Sequence, residues 1–416
     1  MKPILVCYGL PETARQYENR YCIVTGSDVG KTYLDMQKAI MQGNDSNRIY
    51  VISDAECSQS AWAFASRYCD MISAMTVLGG TAMPESLEHL RFTPILLRGD
   101  ETDSPTGISA KLVWRYLRSC GNMDVVLREA LTPEEALAWM EEKSIVDRQE
   151  INWLGNGVWN INTGLIDSFY LIEGRDKALV IDTGMGRKAI KPTLEKLTKL
   201  PMELAVTHVH GDHIYHADEF DKVYMSPLDV PLLPVFVEKM MPEKPYTADM
   251  FTEIEDGCIL DLGDVKVEAI AFPGHTPGSM VYADHEHKAL FCGDAFGSGI
   301  GVLMAISGAL PLERYLNELI RFRERILPYK DYCFYGGHRI QEKGVRREVS
   351  QYNPLCMELL DDMIVLCRKL LAGEQVDSEI QGSEFAPGRV VYATYRRANI
   401  WVEESKLPSA KPSMNL

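Results

Sequence analysis

The chain has 416 residues, 46% of them hydrophobic and 25% charged, with a formal net charge of −16 at pH 7. That length favours two domains over one core, the composition is that of a globular protein, and the acidic balance argues against nucleic acid, whose phosphates need Lys and Arg. No apolar run reaches the length of a membrane span, and the ten cysteines contain no CxxC pair, so neither a disulfide framework nor a thiolate zinc site is expected. "ILVCYGL" after Lys2 is too short for a signal segment and runs into Pro11; with the scattered cysteines, the expectation is a cytoplasmic protein without a membrane partner. Residues 1–140 alternate short apolar runs ("PILVCYG", "YCIV", "RIYVIS", "PILLRG") with helix-like stretches such as "TYLDMQKAI". This pattern predicts a parallel α/β domain over residues 1–145. "TPEEALAWMEEKS" is predicted to be a helix with Thr132 as N-cap, and the charged run "VDRQE", 146–150, reads as a linker.

Two motifs in this first part invite a function. "IVTGSDVGKTY" looks like a phosphate-binding loop, but three residues separate Gly26 from Gly30 where that loop needs four. "SNRIYVISDAECSQSAW", the Gly79–Gly80 pair and "TPILLRGDETD" resemble the core of α/β-hydrolases of the polyester-depolymerase and feruloyl-esterase type, over roughly 30–120. In those enzymes a strand enters a sharp G-x-S-x-G turn that carries the nucleophile. Here the aligned run is "SDAEC", with Ala55 in the serine's place. His89 precedes the candidate acids Asp100 and Asp103, no histidine occurs from 104 to 207, and Ser53 and Ser58 are left without a histidine base. The resemblance implies a degenerate esterase-like domain lacking its catalytic serine and histidine, retained for folding, dimerisation or shaping a neighbouring site.

From 151 the texture changes. "VWNI", "SFYLIEG", "KALVIDTG", "MELAVTH", "KVYMSP", "VKVEAIAFPG", "SMVYAD" and "KALFCGD" are short strands at close spacing with helices between some of them. A two-sheet sandwich flanked by helices fits this better than a doubly wound sheet. A Leu- and Met-rich helix ("CMELLDDMIVLCRKLL") and a strand pair ("RVVYATYRRANIWVEE") form a C-terminal extension over 346–416.

The densest chemistry is "THVHGDHIYH", 207–216. His208 and His210 are two apart on an extended exit from a strand and point to one side. Gly211 lets the chain turn, so that Asp212 and His213 follow from the turn. Imidazoles and carboxylates without thiolate suit Zn²⁺, Fe²⁺ or Mn²⁺. Further candidate ligands follow other apolar runs beside glycines: His275 in "FPGHTPGS", Asp294 in "LFCGDAFG" and His338 in "YGGHR". His216 reads as a capping or supporting residue, while His285 and His287, in "DHEHK", read as solvated residues of a hairpin turn.

"VIDTG", "THVHGDH", "GHTPGS", "FCGD" and "GGH" match, in order, the motifs of the metallo-β-lactamase superfamily, which the chain resembles over residues 151–345. The resemblance implies an αββα sandwich with two metal ions at one edge. One ion would be held by His208, His210 and His275, the other by Asp212, His213 and His338, with Asp294 bridging and Asp182 orienting the ligand loops. "YGGHR" departs from the family's more usual Pro-Gly-His-Gly but keeps the histidine.

The resemblance implies a dinuclear metal-dependent hydrolase, zinc being the expected metal and iron or manganese the alternatives. Its nucleophile would be a metal-bridging hydroxide formed near neutral pH, with Asp212 helping to move a proton to the leaving group. A small ester, thioester or lactone is the favoured substrate, because residues 229–250, with Met240 and Met241, and a flexible loop over 297–311 look like apolar pocket walls. A phosphodiester is the alternative. A non-haem iron oxidoreductase of the same fold could use similar ligands, though its flavin-linked members carry Glu where this chain has His210. A purely structural metal is disfavoured, since such sites close with four ligands. The oligomeric state stays open, a homo-oligomer included.

Overall fold

The computed structural model describes residues 1–82, 87–99, 108–163, 167–297, 301–338, 355–382 and 388–408. The chain divides into two compact units, Met1–Glu150 and Ile151–Leu416.

In the first unit six parallel strands form one sheet, in the order Cys22–Thr25, Pro3–Tyr8, Asp45–Asp54, Ala74–Leu78, Ile95–Arg98, Val125–Arg128. Its central strands are buried on both faces, which is why they read as unbroken apolar runs. Ile49 and Val51 pack under the helices Val29–Met41, Ser58–Arg67 and Ala110–Ser119. Tyr50 and Ile52 point to the opposite face, against Pro11–Tyr17 and Pro133–Glu141. The last helix starts as expected: the Thr132 hydroxyl accepts from the Glu135 amide at 3.3 Å, and the Glu135 carboxylate accepts from the Thr132 amide at 2.8 Å.

The expected linker is not one. Arg148 and Glu150 are buried and face each other at 3.5 Å, and the Arg148 guanidinium donates to the carbonyls of Cys69 and Ile72. A charged run reads as solvated when its partners are distant in sequence; here main-chain acceptors lift the cost of burying the guanidinium.

The second unit is a sandwich. One seven-stranded sheet runs, from edge to edge, Phe251–Glu253, Val223–Met225, Met202–Ala205, Ala178–Ile181, Asp167–Glu173, Val158–Thr163, Gln149–Gly155. The other has five strands: Ile259–Asp261, Lys266–Ala271, Met280–Asp284, Ala289–Gly293, Cys333–Gly336. Tyr170, Ile172, Leu179 and Ile181 from the first sheet meet Val267, Ala269, Tyr282 and Phe291 from the second in a shared core. The alternate residues face outward. Leu171, Val180 and Leu204 pack beneath Lys191–Leu197 and Leu233–Met240, whereas Ile270, Val281 and Leu290 pack beneath Leu312–Ile326 and Met357–Leu371. The layers are therefore αββα, as expected.

The C-terminal segment completes the outer layer. Its helix Met357–Leu371 shares one core with Leu312–Ile326, and its hairpin strands Arg389–Tyr395 and Ala398–Glu403 join a small sheet with Val302–Leu303. This corrects the reading of 297–311 as a flexible loop. Val302 and Leu303 pair with Ile400 and Trp401, the Met304 amide donates to the Trp401 carbonyl at 2.8 Å, and Val302 and Met304 are buried. Residues 298–300 of that stretch lie outside the described residues. The apolar side chains find a core contributed by a segment a hundred residues away, which local sequence does not announce.

Candidate metal centre

All seven candidate ligands meet at one edge of the sandwich. The strand Met202–Ala205 delivers the chain to Thr207 and His208, and the His210 carbonyl then accepts from the His213 and Ile214 amides, starting the short helix Gly211–Ile214. His275 lies between Lys266–Ala271 and Met280–Asp284, Asp294 directly follows Ala289–Gly293, and His338 lies two residues beyond Cys333–Gly336. Six of the seven are buried. Asp212 is the exception, with its side chain 24% exposed.

Two groups emerge from the distances. His208 Nε2 and His275 Nε2 lie 3.0 and 2.9 Å from His210 Nδ1. In the other group, His338 Nε2 is 3.2 Å from Asp294 Oδ1 and 3.5 Å from Asp212 Oδ2, and His213 Nε2 is 3.6 Å from both carboxylates. Asp294 stands between them, its Oδ2 being 3.7 Å from His275 Nε2.

Hydrogen bonds on the far side of three of the rings fix their tautomers. His275 Nδ1 donates to the Leu303 carbonyl at 3.0 Å, the acceptor that the Val302–Leu303 strand supplies. His213 Nδ1 donates to Asp182 Oδ2 at 2.8 Å. The Thr207 hydroxyl donates to the same carboxylate at 2.8 Å, which leaves its lone pair to accept from His208 Nδ1 at 3.1 Å. His208 and His275 therefore both aim an Nε2 lone pair at His210 Nδ1. One proton there satisfies one lone pair, whereas a cation satisfies all three. His213 Nε2 and Asp294 Oδ1 are in addition buried without a hydrogen-bond partner. These donors fit metal ions of the borderline or hard kind. Within each of the groups His208–His210–His275, His208–His213–Asp294 and Asp212–His213–His338, the ligand atoms lie within 4.8 Å of one another.

The electrostatics divide the same way. Burial, then the neighbouring imidazoles, hold His208 and His210 well below the usual histidine range, and burial also lowers His275. Burial opposes the charge on His213 too, but Asp212, Asp182 and Asp294 outweigh it and raise that ring to about 9. His338 is raised for the same reason, chiefly by Asp294 against the cost of burial. Burial works against ionised Asp294, yet His338 and His213 hold its carboxyl below the ordinary range.

Supporting residues are built into the loops. Asp182 sits in a left-handed conformation (φ 63°) and accepts from the Thr207 amide, the Thr207 hydroxyl and His213. Two further carboxylates escape the sequence reading. Asp229, wholly buried, accepts from the Val209 amide (3.0 Å), the Thr276 hydroxyl (2.8 Å) and the Gly278 amide (2.6 Å), so it ties the His208–His213 loop to the His275 loop; burial raises it to about 6. Asp167 lies 3.5 Å from His338 Nδ1 and accepts from the Met185 amide at 3.1 Å. Neither aspartate has a local signal, since each works through groups brought together by the fold. The second glycine of "YGGH" does have one: a Cβ on Gly337 would meet His213 Cε1 at 2.5 Å and Asp294 Oδ1 at 2.7 Å.

The other histidines stay outside the cluster. His216 is buried and pairs with Glu219 at 2.7 Å, while that carboxylate accepts from the Ile190 and Lys191 amides, a supporting role as expected. His285 and His287 are not simply solvated. His285 pairs with Glu268 at 3.0 Å, and His287 Nδ1 lies 2.6 Å from the fully buried Asp284, because the turn folds back over the sheet edge. The wall of the site is apolar on one side. The Phe236 ring lies 4.4 Å from that of His210, and Met240 and Met185 flank Gly211. Met241, read as part of the same wall, is instead fully buried in the core, since neighbouring helix-end residues face different ways.

In the first unit, the exposed Ala55 occupies the turn between Asp45–Asp54 and Ser58–Arg67. Ser53 donates to the Asp54 carbonyl and Ser58 to the Ala55 carbonyl, and His89 is exposed. Asp100 and Asp103 lie outside the described residues.

Known proteins bear on residues 162–338, which match the sequence profile of the Metallo-beta-lactamase superfamily. The acyl-coenzyme A thioesterase MBLAC2 of Homo sapiens is 26% identical over 228 residues, covering 47% of this chain and 78% of that one. A hydroxyacylglutathione hydrolase of Francisella tularensis is 26% identical over 198 residues, covering 47% and 74%. A solved metallo-beta-lactamase from Pontibacter korlensis aligns with a TM-score of 0.40 at 19% identity, over 53% of this chain and 99% of that one.

Proposed function

We propose, from the match of residues 162–338 to the metallo-beta-lactamase superfamily, that the chain is a metal-dependent hydrolase that cleaves thioesters of apolar acyl groups at a dinuclear centre. The observation that carries the reading is the meeting of two histidine lone pairs on His210, with Asp294 reaching from that set to the second. His208, His210 and His275 would hold one ion, and Asp212, His213 and His338 the other, with Asp294 within reach of both sets. Zinc is the proposed metal. When bound, the pair of cations supplies Lewis acidity and a hydroxide nucleophile at neutral pH.

The chain's own residues do the rest. Asp182, Asp229 and Asp167 hold the ligand loops and fix ring orientation. Asp212, whose side chain is 24% exposed, is the group we assign to pass a proton to the departing thiolate. Phe236, Met240 and Met185 receive the acyl chain, and a thiol leaving group agrees with the names of the thioesterase and glutathione-ester relatives. Residues 1–150 we assign to a catalytically silent relative of the α/β-hydrolases, with Ala55 at its turn, and the ten free cysteines support a cytoplasmic setting. Among the described residues no helix is long and apolar enough to cross a membrane. The test is an activity screen of the purified chain across acyl thioesters, oxygen esters, lactones and phosphodiesters. Thioesters are expected to turn over fastest, and a preference for phosphodiesters would refute the reading.

A further inference from the structure

A second chemically competent cluster lies on the far strand of the five-stranded sheet, at a cavity of about 670 Å³ lined by Trp153, Tyr332, Cys333, Cys356 and Glu358 among others. Phe334 and Leu355 form an antiparallel bridge there, and both bury their side chains in the same core, as directly opposed residues do. The bridge is isolated; extending its register by one residue would face Cys333 with Cys356, and both line the cavity. Opposed residues of an antiparallel pair have Cα atoms about 4.5 or 5.5 Å apart, inside the range of about 4.4–6.8 Å that a disulfide spans. The two cysteines differ usefully. Cys333 is exposed. Cys356 is half-buried at the N-cap of the helix Met357–Leu371, with Arg397 Nη1 2.9 Å from its sulfur.

We propose that Cys333 and Cys356 are a thiol–disulfide modification site for low-molecular-weight disulfides, separate from the metal centre. The exposed Cys333 thiolate attacks one sulfur of the small disulfide, forming a mixed disulfide and releasing one thiolate. The Cys356 thiolate then attacks the Cys333 sulfur, closing the internal bond and releasing the second thiolate. The two cysteine protons pass to the released thiolates, so the small disulfide is reduced to two thiols as the pair is oxidised. Burial, with the neighbouring Glu358 carboxylate, pushes the Cys356 thiol up, against the Leu359 amide and the Arg397 guanidinium, which favour its thiolate. The first attack accordingly belongs to Cys333 and the closing one to Cys356. Cys258 provides an internal control, being exposed but beside Ala269 in the sheet rather than a second cysteine.

The experiment treats the full chain with oxidised glutathione under native conditions, blocks free thiols with N-ethylmaleimide and maps the peptides without reduction. A linked Cys333–Cys356 peptide is expected, with glutathione retained on Cys258. Cys356→Ser is expected to trap glutathione on Cys333, at tenfold or more above the unchanged chain, and Cys333→Ser to lower modification of Cys356 at least tenfold. A lasting glutathione adduct on Cys333 of the unchanged chain, or an unmodified Cys333 beside a modified Cys258, would overturn the proposal. Because the readout is covalent, the outcome does not depend on the hydrolytic reading.

Discussion

The two candidate ligand sets share one edge of the sandwich yet are prepared in opposite ways. His208, His210 and His275 are buried among one another, and all three are pushed towards the neutral form. His213 and His338 stand among Asp182, Asp212, Asp294 and Asp167, which pull both towards the protonated form. The first set presents lone pairs already cleared of protons. In the second, protons hold the place of a cation, balancing carboxylates that burial alone would not tolerate. The lesson is that one site can contain a half that is ready for metal and a half that must exchange protons for it.

The strongest way to break this comparison is to remove a ligand. His208→Ala or Asp294→Ala should lower kcat/KM by roughly three orders of magnitude, since the Lewis acid contributes several kcal/mol at the transition state. Circular dichroism should show the fold kept, and bound metal should fall. Asp182→Asn comes next. Asparagine tolerates the left-handed backbone, so the change removes the charge that orients His213 and should weaken metal binding about 10- to 100-fold. Competition with a chromogenic chelator reads that loss.

The pH dependence sharpens the contrast. The His213 proton is retained up to about pH 9 without metal, so below that value a cation must displace it. Affinity at the second set should rise with pH, by about tenfold per unit for each proton displaced, while the first set stays nearly flat. Metal titrations at pH 6 and pH 8 separate the two; parallel slopes would contradict the division. The smallest effect concerns the apolar wall. Each buried methylene is worth about 0.8 kcal/mol, nearly fourfold per carbon, so kcat/KM should climb along an acyl series until the wall is filled. Met240→Ser should flatten that slope with metal content unchanged.

What the sequence discloses follows from where the information lies. Ligands packed into "THVHGDH" or set beside glycines in "GHTPGS", "FCGD" and "GGH" are legible, because coordination geometry demands those residue types at short spacing. The sandwich is legible for a similar reason, as alternate residues of Asp167–Glu173 and Ala178–Ile181 serve two different cores. Asp229 and Asp167 are single carboxylates, one beside an apolar stretch and one at the start of a strand, and their partners lie 18 or more residues away. The burial of Arg148 and the pinning of Val302–Leu303 by Ile400 and Trp401 are hidden in the same way. Polar groups that act locally leave a pattern; those that act across the fold do not.

The central claim is that both ligand sets hold metal, and the most direct measurement is the metal content of natively purified protein by inductively coupled plasma mass spectrometry. The account predicts two equivalents of divalent metal per chain, falling to about one in Asp212→Ala with the His208–His210–His275 set still loaded. A single equivalent in the unchanged protein after growth and purification with metal in excess, or none, would contradict it.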